Sequence, residues 1–149
     1  PRSRIMIQIQ RVHHIGIRVT DGERSLRFYR HFGFDLAWKD PREPVYVLRN
    51  AKGVEINFIV NANDTSGGKN ILMDVGPKYP GYTHVALQVA SIDETVTFLQ
   101  ENNIPIFEGP VKLGDGVSLF VRDPDLNVIE LRKSGSIETA AGPGGQEGA

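Results

Sequence analysis

Two histidines and two glutamates carry the chemistry this chain could do. His14 and His84 open near-copies of one stretch, His14-Ile15-Gly16-Ile17-Arg18-Val19 and His84-Val85-Ala86-Leu87-Gln88-Val89, 70 residues apart. Glu55 follows the first histidine by 41 residues and Glu130 follows the second by 46. Two neutral imidazoles and two carboxylates suit a divalent transition ion such as Zn²⁺, Ni²⁺, Co²⁺ or Mn²⁺. Such an ion acts as a Lewis acid on a carbonyl oxygen. A carboxylate beside it can detach and serve as a base. No two of the four residues lie close in sequence, so only a fold can bring them together.

The elements that must do so repeat. With a shift of 70 residues, Leu26 falls on Val96, Phe28 on Phe98, Phe34 on Ile104 and Leu36 on Ile106, without a gap. Repeats are best sought first, and this one is too long for a solenoid unit. Residues 5–12 alternate and read as a strand or extended lead-in. In the strand from His14 to Val19, Ile15, Ile17 and Val19 share one face while His14, Gly16 and Arg18 share the other. Thr20 with Glu23 gives a capping box, and Gly33 ends the helix predicted over 22–32. Strands follow at 34–39, 45–49 and 54–60. The second module repeats the order: a strand at 84–89, a Ser91/Glu94 capping box with its helix, then strands at 104–108, 117–122 and 128–132. This predicts an α+β fold of two tandem βαβββ modules, 10–61 and 82–133, curving into a mixed-sheet cup. They form one domain over 1–133, joined by a loop at 62–81 in which 71–75 reads as a short strand. The Gly/Ala/Glu/Gln-rich stretch 134–149 has too little apolar surface to offset its ordering entropy and reads as a disordered tail.

The strand face turned away from the helices carries His14, Arg18, Glu55, Asn57, His84, Gln88, Glu130 and Arg132. Taken singly, each reads as the solvated side of an antiparallel sheet. Taken together, one His and one Glu per module make a pseudo-two-fold set. His13 falls in the opposite strand phase from His14 and reads as structural. Net charge is −1, which gives no field to steer the chain to nucleic acid or anionic lipid. No apolar run reaches the ~20 residues of a membrane span, and no signal-peptide pattern is present. The absence of Cys excludes thiolate chemistry and suits a cytoplasmic location.

The sequence resembles the vicinal oxygen chelate superfamily, which holds glyoxalase I, extradiol dioxygenases, methylmalonyl-CoA epimerase and the fosfomycin- and bleomycin-resistance proteins. The residues that carry the resemblance are His14 to Val19, Ser25-Leu26-Arg27-Phe28-Tyr29 with Gly33-Phe34, His84 to Leu87, and Asp123-Pro124-Asp125-Leu126-Asn127-Val128-Ile129-Glu130-Leu131. They span about residues 10–133. The His-Glu-His-Glu pattern resembles glyoxalase I, whereas extradiol dioxygenases and fosfomycin enzymes use His-His-Glu. Leu126 stands where the family's turn has Gly, a position that favours a positive φ. Ile59 stands where glyoxalase I has an Asn that contacts glutathione.

The resemblance implies a metal-dependent lyase of the lactoylglutathione lyase type acting on a hemithioacetal or similar α-hydroxycarbonyl. His14, Glu55, His84 and Glu130 would hold Zn or Ni, with Glu130 as base and Glu55 as its partner. Arg18, Asn57, Gln88 and Arg132 are the substrate-binding candidates. The substrate is a small molecule, with a glutathione conjugate the family's example. Two alternatives stand beside this: an extradiol-type dioxygenase with Fe or Mn, and a metal-free drug- or metabolite-binding resistance protein. The unpaired edges of a half-open sheet call for a cover. A homodimer in which His14 and Glu55 meet the partner's second module would supply one.

Overall fold

The computed structural model describes residues 5–64 and 67–135. Module one is β1 (Ile15–Arg18), α1 (Gly22–Arg30), β2 (Asp35–Lys39), β3 (Val45–Arg49) and β4 (Glu55–Ile59). Module two is β5 (His84–Gln88), α2 (Ile92–Glu101), β6 (Glu108–Leu113), β7 (Gly116–Arg122) and β8 (Val128–Ser134). Each builds a four-stranded mixed sheet, ordered β1-β4-β3-β2 and β5-β8-β7-β6. The first strand runs parallel to the last, and the other pairings are antiparallel. This is the expected α+β architecture of two βαβββ modules.

Alternation places the core. Ile17, Ile56, Phe58, Leu48, Ile129, Leu131, Leu119 and Val121 turn inward, and the helices cover them with Leu26, Tyr29 and Leu99. Residues of both modules belong to this one cluster, so the helical sides of the two sheets share a core. Fully burying one such side chain contributes roughly 1.5–3 kcal/mol. Polar straps reinforce the junction. Tyr29 Oη donates to Asp123 Oδ2 at 2.8 Å in a buried contact. Thr20 Oγ1 donates to Asp125 Oδ1 at 2.6 Å, and Arg24 Nη2 donates to the same oxygen at 3.0 Å.

Several sequence expectations shift. The cap of α1 is Asp21, whose carboxylate accepts from the backbone N–H of Glu23 and Arg24; Thr20 is drawn away to Asp125. The helix ends at Arg30, and Gly33 follows with φ +88°. Ser91 caps α2, accepting from Glu94 N at 3.1 Å. Residues 5–12 alternate but join no sheet, and Ile5, Met6, Ile7, Ile9 and Val12 are exposed. A strand needs a partner's backbone groups, and here none is offered. Residues 71–75 are turn rather than strand, organised by Asn70, whose Oδ1 accepts from Leu72 N and Met73 N. The strand expected at 104–108 starts only at Glu108, because Ile104 is spent closing α2 through its N–H to Leu99 O. β8 runs through Ser134, and the rest of the expected tail, 136–149, lies outside the described residues. Leu126 adopts φ 68° in the β7–β8 hairpin.

Candidate metal centre

The four expected ligands fall into two clusters, one on each sheet. In module two, His84 sits on β5 and Glu130 on the neighbouring β8, with His84 Nε2 3.0 Å from Glu130 Oε1. Glu130 is only 8% exposed. Its other oxygen, Oε2, accepts from the buried Ser118 hydroxyl at 2.6 Å. Arg132 Nη1 donates to that same hydroxyl oxygen at 3.0 Å and lies 3.9 Å from Glu130 Oε2. The buried carboxylate is thus paired and hydrogen-bonded, as burial of a charge demands. Thr83 Oγ1 lies 2.9 Å from His84 Nδ1, a contact that fixes the ring with Nε2 towards Glu130.

In module one, His14 stands at the entry to β1 and Glu55 at the start of β4. His14 Nδ1 lies 2.8 Å from His13 Nδ1. Ligand atoms of His13, His14 and Glu55 all lie within 4.8 Å of one another. Strand phase made His13 read as structural, but the chain becomes regular strand only at Ile15, so strand alternation does not govern residue 13. Glu55 Oε1 accepts from Arg49 Nε at 3.0 Å, in the cross-strand pair Arg49↔Glu55. His84 and Glu130 belong to no such group with His14 and Glu55 within one chain, among the described residues. His14 and His84 both line a cleft of about 1040 Å³ between β1, β5, the connecting segment and the Asp123–Asn127 hairpin.

The register of the two sheets corrects the matching of Glu55 with Glu130. In module two, His84 pairs with Val128, and Glu130 pairs with Ala86 two residues along. In module one, Ile15 pairs with Ile56 and Gly16 with Asn57. Under the shift of 70 residues, Gly16 corresponds to Ala86, so Asn57 occupies the place of Glu130, and Glu55 the place of Val128. The His-to-Glu spacings of 46 and 41 residues differ by five: three come from the lengths of the turns and two from the offset between Asn57 and Glu55, and the sequence alone does not separate the two contributions. Asn57 Oδ1 is buried and has no hydrogen-bond partner among the described residues.

The remaining candidates divide. Arg18 is exposed on the open face, and its Nε donates to Asn61 Oδ1 at 3.0 Å. Gln88 is exposed on β5. Arg132 is committed within module two: besides Ser118, it donates to Leu113 O at 2.8 Å and Asp115 Oδ1 at 2.7 Å. Its guanidinium therefore holds the Glu130 cluster in place, a different task from the substrate contact expected of it.

Residues 11–131 match the family model described as Glyoxalase/Bleomycin resistance protein/Dioxygenase superfamily. The glyoxalase domain-containing protein RDO1 of Mycosarcoma maydis is 27% identical over 135 residues, covering 87% of this chain and 72% of that protein. The lactoylglutathione lyase GLX1 of Arabidopsis thaliana is 31% identical over 128 residues, covering 82% of this chain and 44% of that protein. The chain thus spans less than half the length of that plant enzyme. A glyoxalase/dioxygenase from Nostoc punctiforme shares the fold, with a TM-score of 0.64 at 22% identity over 89% of this chain and 99% of that one.

Proposed function

The chain belongs to the Glyoxalase/Bleomycin resistance protein/Dioxygenase superfamily, and from that premise we propose that it is a metal-dependent lyase or isomerase of the glyoxalase I type. The single observation that carries this reading is the His84–Glu130–Ser118 cluster, a buried carboxylate held 3.0 Å from an imidazole on the open face of a sheet. The donor set fits a divalent ion: two imidazoles, a carboxylate and a further oxygen from β4, with the orphaned Asn57 Oδ1 among the oxygens on offer. The further oxygen comes from Glu55 or from Asn57. A bound ion would polarise a substrate carbonyl.

The chain's own residues would do the rest. Glu130 takes a proton from the carbon beside the carbonyl and returns it to the neighbouring carbon, so the substrate is rearranged with no net oxidation. Ser118, by donating to Oε2, leaves Oε1 as the oxygen that faces His84 and the substrate. Arg18 offers its guanidinium to a substrate carboxylate on the same open face. The substrate class is a hemithioacetal or similar α-hydroxycarbonyl, supported by the likeness to the plant lactoylglutathione lyase. His14 of one chain would reach His84 and Glu130 of a second copy, since among the described residues of one chain the four do not form a single close group. The active unit is then a homodimer.

A second reading is favoured by one observation. With Asn57 rather than a carboxylate in register with Glu130, the charged set reduces to two histidines and one carboxylate, which suits Fe²⁺ and oxygen chemistry. Metal analysis of purified protein, followed by assays against hemithioacetals and catechols on protein reconstituted with each metal, separates the two. Turnover of hemithioacetals with Zn or Ni is the expected result. Catechol cleavage with Fe alone would replace the lyase by the dioxygenase. No bound metal and no turnover would leave a binding protein.

A further inference from the structure

We propose that Asn57, not Glu55, supplies the module-one oxygen of the centre, which makes that donor neutral and fits the site to a substrate that binds as an oxygen anion. The inference rests only on the metal dependence proposed above, which the lyase and dioxygenase readings share. Three observations carry it. The first is register: Asn57 pairs with Gly16 as Glu130 pairs with Ala86, each two residues beyond the module's histidine. The second is space. The partner strand offers no side chain at Gly16 and a single methyl at Ala86, and a Cβ built at Gly16 would meet nothing within 4 Å. Both positions therefore leave room above the sheet for whatever His14 or His84 holds. The third is the orphan. Asn57 Oδ1 is buried without a partner among the described residues, and a buried amide oxygen left so costs about 1–3 kcal/mol. Coordination to a cation removes that cost.

Glu55 is placed differently. It lies level with His14 itself, and one of its oxygens is taken by Arg49 at 3.0 Å. A guanidinium at that distance offsets the carboxylate's charge and competes with a cation for it. Charge then decides the ligand chemistry. A divalent cation held by His14, His84, Asn57 and Glu130 keeps a net charge of +1, whereas a second carboxylate would cancel it. A centre with residual positive charge favours an enolate-, catecholate- or carboxylate-like oxygen over a neutral carbonyl.

Binding of Co²⁺, followed by its visible absorption, and of Zn²⁺, followed by calorimetry, tests this on the full chain without any substrate. Asn57→Asp places a carboxylate in register and should tighten Zn²⁺ binding at least tenfold. Asn57→Ala should weaken it at least fivefold and shift the Co²⁺ spectrum. Glu55→Gln should change affinity less than threefold and leave the spectrum as in the parent chain. Circular dichroism of each variant checks that it folds, and Asn57→Ser replaces any that does not. A tenfold loss in Glu55→Gln with no change in the Asn57 variants would overturn the proposal and return Glu55 to the centre. A parent chain that takes up no cation would remove the metal-dependent reading itself, a different and recognisable failure.

Discussion

In module two the carboxylate of Glu130 is held from three directions: Ser118 at 2.6 Å, the His84 ring at 3.0 Å and Arg132 at 3.9 Å. In module one, Glu55 has Arg49 at 3.0 Å, from a side chain that is 59% exposed. The same βαβββ frame thus carries a carboxylate held from three sides in one copy and, in the other, a carboxylate almost as buried (side chains 14% against 11% exposed) but held by a single, largely exposed guanidinium. A pair with one exposed partner is screened by solvent and contributes little, about 0–1 kcal/mol. Buried charged hydrogen bonds contribute more, and losing one partner leaves the other unsatisfied. Duplication preserved the strands and their pairing, while the polar residues on the open faces diverged. The proposed function would divide the labour accordingly, with Glu130 of module two as the prepared base and module one adding His14 and its β4 oxygen.

The comparison breaks most sharply at the two glutamates. Glu130→Gln should lower kcat by on the order of 10²–10⁴-fold. Glu55→Gln should lower it less than about tenfold. Steady-state kinetics on metal-reconstituted protein reads both, and equal losses would erase the proposed asymmetry between the modules.

Ser118→Ala should come next in size. It removes the 2.6 Å donor from a carboxylate that stays buried, at a cost of about 1.5–3 kcal/mol. Denaturant unfolding measures that loss. The same variant should lower kcat with KM nearly unchanged, because the hydroxyl that fixes Oε2 also orients Oε1. Loss of stability with kcat unchanged would make Ser118 structural alone.

The smallest effect is expected outside the centre, where the connecting segment is tied to module two. Asp74 is held at a pKa of about 2 by its hydrogen bonds from Arg122, with help from the Asn70 N–H. A depressed carboxylate contributes stability above its unfolded value, and loses it as pH falls from about 3.8 through about 2. Asp74→Asn should therefore lower stability slightly at neutral pH, where solvent screens the exposed ion pair, and flatten the acid side of the curve, so that the two chains converge as pH falls towards about 2. Asp123 runs the other way. Burial raises its pKa against the hydrogen bonds from Asn127 and Tyr29, so its contribution is full at low pH and is lost as pH rises through that raised value. Thermal melts between pH 2 and pH 5 on Asp74→Asn and the parent chain separate the two groups.

Much of this was legible in residue order. Alternation in 14–19 and 128–132 gave the strands, their inward faces and the open face with His14, His84 and Glu130. Leu126 in place of a turn Gly announced the positive φ of the β7–β8 hairpin. What was hidden depended on pairing across long separations. Glu55 and Asn57 share a face, and only the register of β1 against β4 tells which of them lies opposite Gly16. Thr20 looked like a cap because Asp125, 105 residues away, could not be seen competing for it. Arg132 looked available until its donors met Ser118, Leu113 and Asp115. The alternation of residues 5–12 marked strand-like chemistry, but no neighbouring strand pairs with it. Ser118 carried no sequence signal of its own: only the register of β7 against β8 sets it opposite Arg132, one same-face position from Glu130.

The claim on which the rest depends is that a working centre joins module one of one chain to module two of another. Mixing His14→Ala with His84→Ala protein, after subunit exchange confirmed by mass-tagged chains, tests it directly. In each mixed dimer one site carries both lesions and the other is intact, so activity and Co²⁺ uptake should return to about a quarter of the parent level. Exchange without any recovery would contradict the account and place the whole centre within a single chain.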